Sequence, residues 1–283
     1  MQKIIPTLRL KNQLISLQKP IVMGVLNVTP DSFYEGSRVN IDTTNSDKQI
    51  LQKASQMLQE GATILDIGGY STRPNAEDIS IEEEINRVVN PISSIKKEFP
   101  NATISIDTFR SKVAKAAINA GADLINDVSG GSLDSQMFET VASLKVPYIL
   151  MHKRGTPKTK QKMTDYENII VEMMTYFQDK ISTLKSLGVE EIILDLGFGF
   201  AKTIDQNYFL LQHLAVFENL ELPILAGLSR KSMIYKRLDI PVSEALNGTT
   251  VLNTIAIQNG AKILRVHDVK EAVQTIQLLS YLK

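Results

Sequence analysis

Asp107, Asn126 and Asp195 each stand at the end of a short apolar run, directly after an isoleucine or a leucine. Polar groups so placed point into a shared mouth, where they are costly unless a ligand or one another satisfies them. Together they offer acceptors and an amide that both accepts and donates, the complement of a flat heterocycle edge rich in NH groups. A second set has the opposite character. Asn27, Lys231, Arg265 and His267 offer donors and positive charge, suited to phosphate or carboxylate oxygens. Gly227-Leu-Ser-Arg-Lys-Ser232 runs into a helical pattern, so the amides around Ser232 suit an anion at a helix N-terminus. Loop solvation explains any one polar residue after a strand. It does not explain a ring that also takes in Ser71-Thr72-Arg73 and Met151-His152.

Other chemistries are excluded by what is absent or misplaced. The 283 residues include no cysteine, which removes disulfides, zinc thiolates, iron-sulfur clusters and thiol nucleophiles. His152, His213 and His267 are the three histidines, and their spacing fits no zinc motif. Gly227-Leu-Ser229-Arg-Lys231 lacks the closing glycine of a nucleophile elbow, and Gly197-Phe-Gly199-Phe-Ala-Lys202 lacks the third glycine of a dinucleotide fingerprint. Those two glycines suit close approach of backbone to a flat ligand. Magnesium stays open, because it needs few protein ligands once phosphate oxygens and water supply the rest. Lys+Arg and Asp+Glu both number 31, so no global field draws the chain to nucleic acid or an anionic membrane. With no basic-then-apolar leader in Met1 to Leu10 and no run of 18 apolar residues, a cytoplasmic protein is expected.

The elements that must position these groups follow from an internal repeat. Gly61-Ala-Thr-Ile-Leu-Asp66, Gly121-Ala-Asp-Leu-Ile-Asn126, Gly188-Val-Glu-Glu-Ile-Ile-Leu-Asp195 and Gly260-Ala-Lys-Ile-Leu-Arg265 share one theme. Each glycine sits where a helix C-cap needs a left-handed residue, and the apolar run after it suits a strand buried on both faces. Ile21 to Leu26, Thr103 to Ile106, Val146 to Met151 and Pro223 to Ala226 bring the strands to eight. Helical spacing fills the gaps at 46–60, 80–99, 110–120, 135–144, 165–187, 205–218, 243–259 and 268–282, and Ser80-Ile-Glu-Glu83 fits a capping box. Strict alternation over eight units predicts an α/β fold, a (β/α)8 TIM barrel of parallel strands with outer helices. One domain over 1–283 is expected, with an N-terminal leader at 1–20 that suits a hairpin across the barrel bottom, and the barrel itself over 21–283. A doubly wound sheet would need a glycine-rich turn after its first strand, and Asn27-Val-Thr-Pro-Asp31 has none.

Taken together, Met23-Gly-Val-Leu-Asn-Val-Thr-Pro-Asp-Ser-Phe33, Ser71-Thr-Arg-Pro74, Ser105-Ile-Asp-Thr108, Ile125-Asn-Asp-Val-Ser-Gly130, Leu150-Met-His152, Gly197-Phe-Gly-Phe200, Gly227-Leu-Ser-Arg-Lys-Ser232 and Arg265-Val-His-Asp268 closely resemble the dihydropteroate synthase family, the folate-pathway enzymes that sulfonamides target. The resemblance implies a transferase that joins 6-hydroxymethyl-7,8-dihydropterin pyrophosphate to p-aminobenzoate, giving 7,8-dihydropteroate and pyrophosphate. It implies a pterin pocket of Asp107, Asn126, Met151, Asp195 and Lys231, and a pyrophosphate site of Asn27, Thr72, Arg265 and His267, with Asn27 a ligand of Mg²⁺. Phe33, Thr72, Arg73, Pro74, Lys231 and Ser232 would surround p-aminobenzoate, and Asn27, Lys231, Arg265 and His267 would carry the catalysis. Loops at 29–45 and 68–79 would close over the site, and a homodimer through late helices is implied. The chain departs from the usual family pattern at Glu35, Tyr70, Asn75, Lys153 and Leu196; none removes a residue given a role, and Glu35 and Asn75 bear on the shape of those loops. A pterin-binding methyltransferase serving a corrinoid protein is the alternative, and for it the cations around Lys231 and Arg265 would be surplus.

Overall fold

A period of two decides what faces the inside of this molecule, because successive strand residues point to opposite faces. The structure, a computed structural model, describes residues 7–10, 13–28, 43–70, 78–155 and 163–282. Eight parallel strands close a barrel: β3 (Ile21–Asn27), β4 (Ile64–Gly68), β5 (Thr103–Asp107), β6 (Leu124–Asp127), β7 (Tyr148–Met151), β8 (Ile192–Asp195), β9 (Ile224–Ala226) and β10 (Ile263–Val266). They pair in chain order, and β10 returns to β3 with Arg265 beside Met23. This is the expected (β/α)8 barrel. The two preceding strands, β1 (Thr7–Arg9) and β2 (Leu14–Ser16), form an antiparallel hairpin that brings Leu8, Leu10 and Leu17 against Met23, Ile64, Leu124, Ile149, Ile193, Leu225 and Ile263. The leader therefore plugs the barrel floor with a dry apolar layer.

The opposite strand faces carry Val22, Leu65, Ile67, Ile104, Ile106, Ile125, Leu150 and Leu194, all buried under the outer helices. Double burial explains why the strands read as near-continuous apolar runs. The helices are α1 (Thr43–Gln59), α2 (Ile81–Glu98), α3 (Ser111–Ala120), α4 (Met137–Leu144), α5 (Ile169–Ser186), α6 (Ile204–Gln212), α7 (Ser232–Leu238), α8 (Leu246–Gln258) and α9 (Val269–Ser280). Gly61, Gly121, Gly188 and Gly260 all have positive φ, between 85° and 119°, so the four junctions turn as their sequence predicts.

Three details differ from the sequence expectation. The helix expected over 205–218 ends at Gln212, and 3₁₀ turns over Leu214–Leu220 bring Leu214 and Phe217 into the core. The short helix α7 precedes α8 in the interval after β9. Ser80 accepts from the Glu83 amide at 3.1 Å, but the Glu83 carboxylate turns to Arg87 at 2.8 Å, so only half of the expected capping box forms. A reciprocal box does form where none was expected, between Thr203 and Gln206. Among the described residues, no helix is long and apolar enough to cross a membrane.

Candidate functional site

Two residues above the floor layer, four of the same inward rows turn polar, and a fifth carries Met151. Ile64 leads to Asp66, Leu124 to Asn126, Ile149 to Met151, Ile193 to Asp195 and Ile263 to Arg265. Asp66 is fully buried, and Asn126 and Met151 are nearly so. Asp66 Oδ2 accepts from Arg265 Nε at 2.6 Å and from Asn126 Nδ2 at 3.1 Å, while Arg265 Nη2 donates to Asp107 Oδ2 at 2.5 Å. One guanidinium thus bridges two strands' carboxylates, a geometry that a planar fork of donors allows and a point charge does not. Burial pushes the Asp107 carboxyl above its ordinary range against the pull of Arg265, and Asp66 adds to the push. Burial works against the Arg265 cation too, but Asp66 and Asp107 together carry its pKa above the ordinary value.

The amide of Asn126 gives its nitrogen to Asp66, which leaves its oxygen as the acceptor. Asp66 Oδ1 and Ser105 Oγ, neighbours in register, are buried with no partner among the described residues. Asp195 accepts from the Gly197 amide at 2.7 Å through Oδ1. The floor of the mouth therefore presents the acceptor-rich face that the sequence implied, with Asp66 added to it.

Around the rim, the Lys231 ammonium donates to the Phe198 carbonyl and lies 5.1 Å from the Phe200 ring centroid. A Cβ on Gly227 would stand 3.8 Å from Lys231 Nζ and 4.0 Å from Arg265 Cβ, so these two side chains flank the same glycine. Ser232 is the first residue of α7, with Lys231 its N-cap. Ser229 Oγ lies 3.0 Å from His267 Nδ1 and takes the His267 amide at 3.2 Å, leaving an exposed imidazole at the rim. Arg230, by contrast, is consumed structurally: it forks onto Asp268 at 2.8 and 2.9 Å and reaches the carbonyls of Val242 and Ser243. Asn27 ends β3, where its Oδ1 would be 3.6 Å from a Cβ on Gly68, beside Asp107.

The structure thus gathers Asn27, Asp107, Asn126, Met151, Asp195, Lys231, Ser232, Arg265 and His267 at one barrel end. Phe33, Thr72, Arg73 and Pro74 lie outside the described residues, as do Glu35 and Asn75. The acceptor and cationic clusters, distinct in sequence, are joined here through Arg265. Three residues were given no role from sequence. In the sequence Asp66 marks only a strand end, but the two-residue period from Ile64 places it inside. Lys202 is buried against the Gly197 and Phe200 carbonyls and His152 Nδ1, all at 3.1 Å. Ser229 holds His267. Gly197 also has a different purpose from the one expected: a Cβ there would come within 2.1 Å of the His152 carbonyl, so its freedom admits a neighbouring strand end.

At the flank, Tyr70 packs edge-on to Phe109 at 5.0 Å and donates to Asp78 at 3.2 Å. Arg110 lies over both rings and pairs with the fully buried Glu84 at 2.9 Å, which also accepts from Thr108 at 2.7 Å. Burial raises the Glu84 carboxyl above its ordinary range, with Thr108 and Arg110 opposing.

Fold and site together define a (β/α)8 barrel whose mouth gathers buried acceptors and cations. The family model described as pterin binding enzyme matches residues 23–267. The dihydropteroate synthase of Escherichia coli K12 is 41% identical over 94% of this chain and 92% of its own length, and that of Synechocystis is 45% identical over 91% and 88%. The structure of the Yersinia pestis dihydropteroate synthase with a sulfonamide drug complex superposes with a TM-score of 0.90 at 38% identity, covering 98% of this chain and 99% of that one. The Xanthomonas albilineans enzyme in complex with 7,8-dihydropteroate gives 0.86 at 32% identity, covering 98% of each chain. This chain belongs to the dihydropteroate synthase family of pterin-binding enzymes.

Proposed function

We propose that this chain condenses 6-hydroxymethyl-7,8-dihydropterin pyrophosphate with p-aminobenzoate, releasing pyrophosphate and forming 7,8-dihydropteroate for folate biosynthesis. The observation that carries this reading is the Asp66, Asn126, Asp107 and Arg265 network, which puts ring-reading acceptors and a cation in one mouth. Asp107, Asn126, Asp195 and Asp66 receive the ring's amino and NH groups, Met151 lies against its face, and Lys231 donates to it. The methylene carbon then parts from the pyrophosphate oxygen, with the electron-rich ring supporting the positive carbon. Lys231, Arg265 and His267 stabilise the departing anion. The arylamine nitrogen bonds to the methylene and loses a proton, so no covalent enzyme intermediate is needed. Phe33, Thr72, Arg73, Pro74 and Ser232 hold p-aminobenzoate, and Thr72 also reaches pyrophosphate.

Magnesium fits this site as an ion held mainly by substrate. Asn27 supplies a neutral hard oxygen at the mouth, beside the Asp107 carboxylate. When bound there with pyrophosphate and water, the ion neutralises charge on the leaving group. The family reading also implies a homodimer through the late helices. The reading also implies a cytoplasmic enzyme. Steady-state competition tests the shared pocket: a sulfonamide raises the KM for p-aminobenzoate without lowering kcat. Purely non-competitive inhibition would overturn the assignment of p-aminobenzoate to this mouth.

A further inference from the structure

The turn that follows β8 runs through left-handed backbone, which is costly at Ala201. Gly197, Gly199 and the non-glycine Ala201 all have positive φ, at 65°, 80° and 48°. Bonds from several elements hold it. The Phe200 amide closes it onto the Gly197 carbonyl at 3.0 Å, Asn207 of α6 takes the Gly199 amide at 2.7 Å, and the Tyr166 hydroxyl donates to the Ala201 carbonyl at 3.0 Å. The central stitch is Lys202, only 8% exposed, whose ammonium donates to the Gly197 and Phe200 carbonyls at both ends of the turn. Its third donor meets His152 Nδ1. Burial pushes the His152 imidazole down to about 2, so the ring is neutral, and in its Nε2–H tautomer Nδ1 accepts from Lys202.

The other face of this turn carries the contacts of Lys231. The Phe198 carbonyl receives its ammonium, the Phe200 ring lies beneath it, and the bare Gly199 leaves room for its stem, with Cδ 3.4 Å from where a Cβ would stand. A buried ammonium is expensive unless its donors are matched, and burial lowers the Lys202 pKa to about 7, with Asp195 opposing. Here the matched acceptors belong to the segment that aims another lysine.

We infer that Lys202 is a positioning residue for the reaction: with His152, it sets the 197–200 turn that aims the Lys231 ammonium at substrate. This rests on the proposed role of Lys231. A misaimed cation costs transition-state stabilisation more than it costs folding, because a displacement of about 1 Å can lower rate by two orders of magnitude.

A double-mutant cycle with Lys202→Met and Lys231→Ala tests the inference, with kcat and both KM values measured for each purified variant. Lys202→Met is expected to lower kcat/KM for the pterin pyrophosphate about tenfold or more. In the Lys231→Ala background the same substitution is expected to cost almost nothing further. Equal losses in both backgrounds would show a merely structural role and overturn the inference, as would wild-type kcat/KM in Lys202→Met. Wild-type activity in Lys231→Ala would instead overturn the role given to Lys231. If Lys202→Met does not fold, Lys202→Gln, which keeps two N–H donors, enters the same cycle with the same outcomes deciding.

Discussion

Replacing Arg265 by methionine keeps most of the side-chain volume but removes the cation between Asp66 and Asp107. Breaking one partner of a buried ion pair costs about 3–5 kcal/mol, because the remaining charge is stranded. Arg265 and Asp107 side chains keep 21% and 18% of their exposure, which places the cost near the lower end. With an m-value of about 3 kcal/mol per M, the urea midpoint falls by roughly 1 M. Arg265→Lys reaches one carboxylate only and loses one charge-assisted bond, about 1.5–3 kcal/mol. The order of stability is therefore wild type, then lysine, then methionine. Adding Asp66→Asn reverses sign with context: it destabilises the wild type, where it weakens the pair, and stabilises Arg265→Met, where it removes a stranded charge. Acid also rescues Arg265→Met. The folded Asp107 pKa lies above its unfolded value, so its contribution is present at low pH and is lost as pH rises. Urea unfolding of the four variants at two pH values is the assay. An Arg265→Met midpoint within about 0.2 M of wild type, or an Asp66→Asn effect of the same sign in both backgrounds, would refute the network as described.

Arg110→Met strands the Glu84 carboxylate and lowers stability by about 3 kcal/mol at neutral pH. Because the folded Glu84 pKa is raised, that loss shrinks as pH falls, and chemical denaturation at both pH values checks it. His152, lowered to about 2 by burial, stays neutral when folded. Below about pH 6.5 only the unfolded chain takes up that proton, so stability falls with falling pH by up to about 1.4 kcal/mol per unit. His152→Gln should flatten this slope in thermal melts between pH 7 and 5, and an unchanged slope would exclude His152 as its source. Tyr148→Phe removes the 2.7 Å bond to buried Asp127 and costs about 1–3 kcal/mol in urea unfolding, with no change in KM for either substrate.

The barrel was legible in the sequence because its junctions are local. Gly61, Gly121, Gly188 and Gly260 mark helix ends within six or so residues of the strand they introduce, and a left-handed glycine needs no tertiary information to be read. The floor was less legible: a hairpin could be anticipated in the leader, but not that Leu8, Leu10 and Leu17 would meet the inward rows. Where helices ended early, at Gln212, core packing of Leu214 and Phe217 overrode a continuous apolar period.

The site was legible as a set of strand-end residues and illegible as a network. Arg265 and Asp66 are 199 residues apart, and only closure of the barrel makes them partners. Charge type therefore sorted Arg265 with the anion-binding groups, while geometry ties it to the acceptors as well. Lys202 was hidden for a similar reason. Its partners are carbonyls, and backbone acceptors leave no trace in residue type.

The most direct measurement is mass-spectrometric quantitation of products after the purified chain is mixed with the pterin pyrophosphate, p-aminobenzoate and Mg²⁺. The expected result is 7,8-dihydropteroate and pyrophosphate in equal amounts, with neither formed when one substrate is omitted. Pyrophosphate release without dihydropteroate, or no turnover from a folded chain, would contradict the assignment.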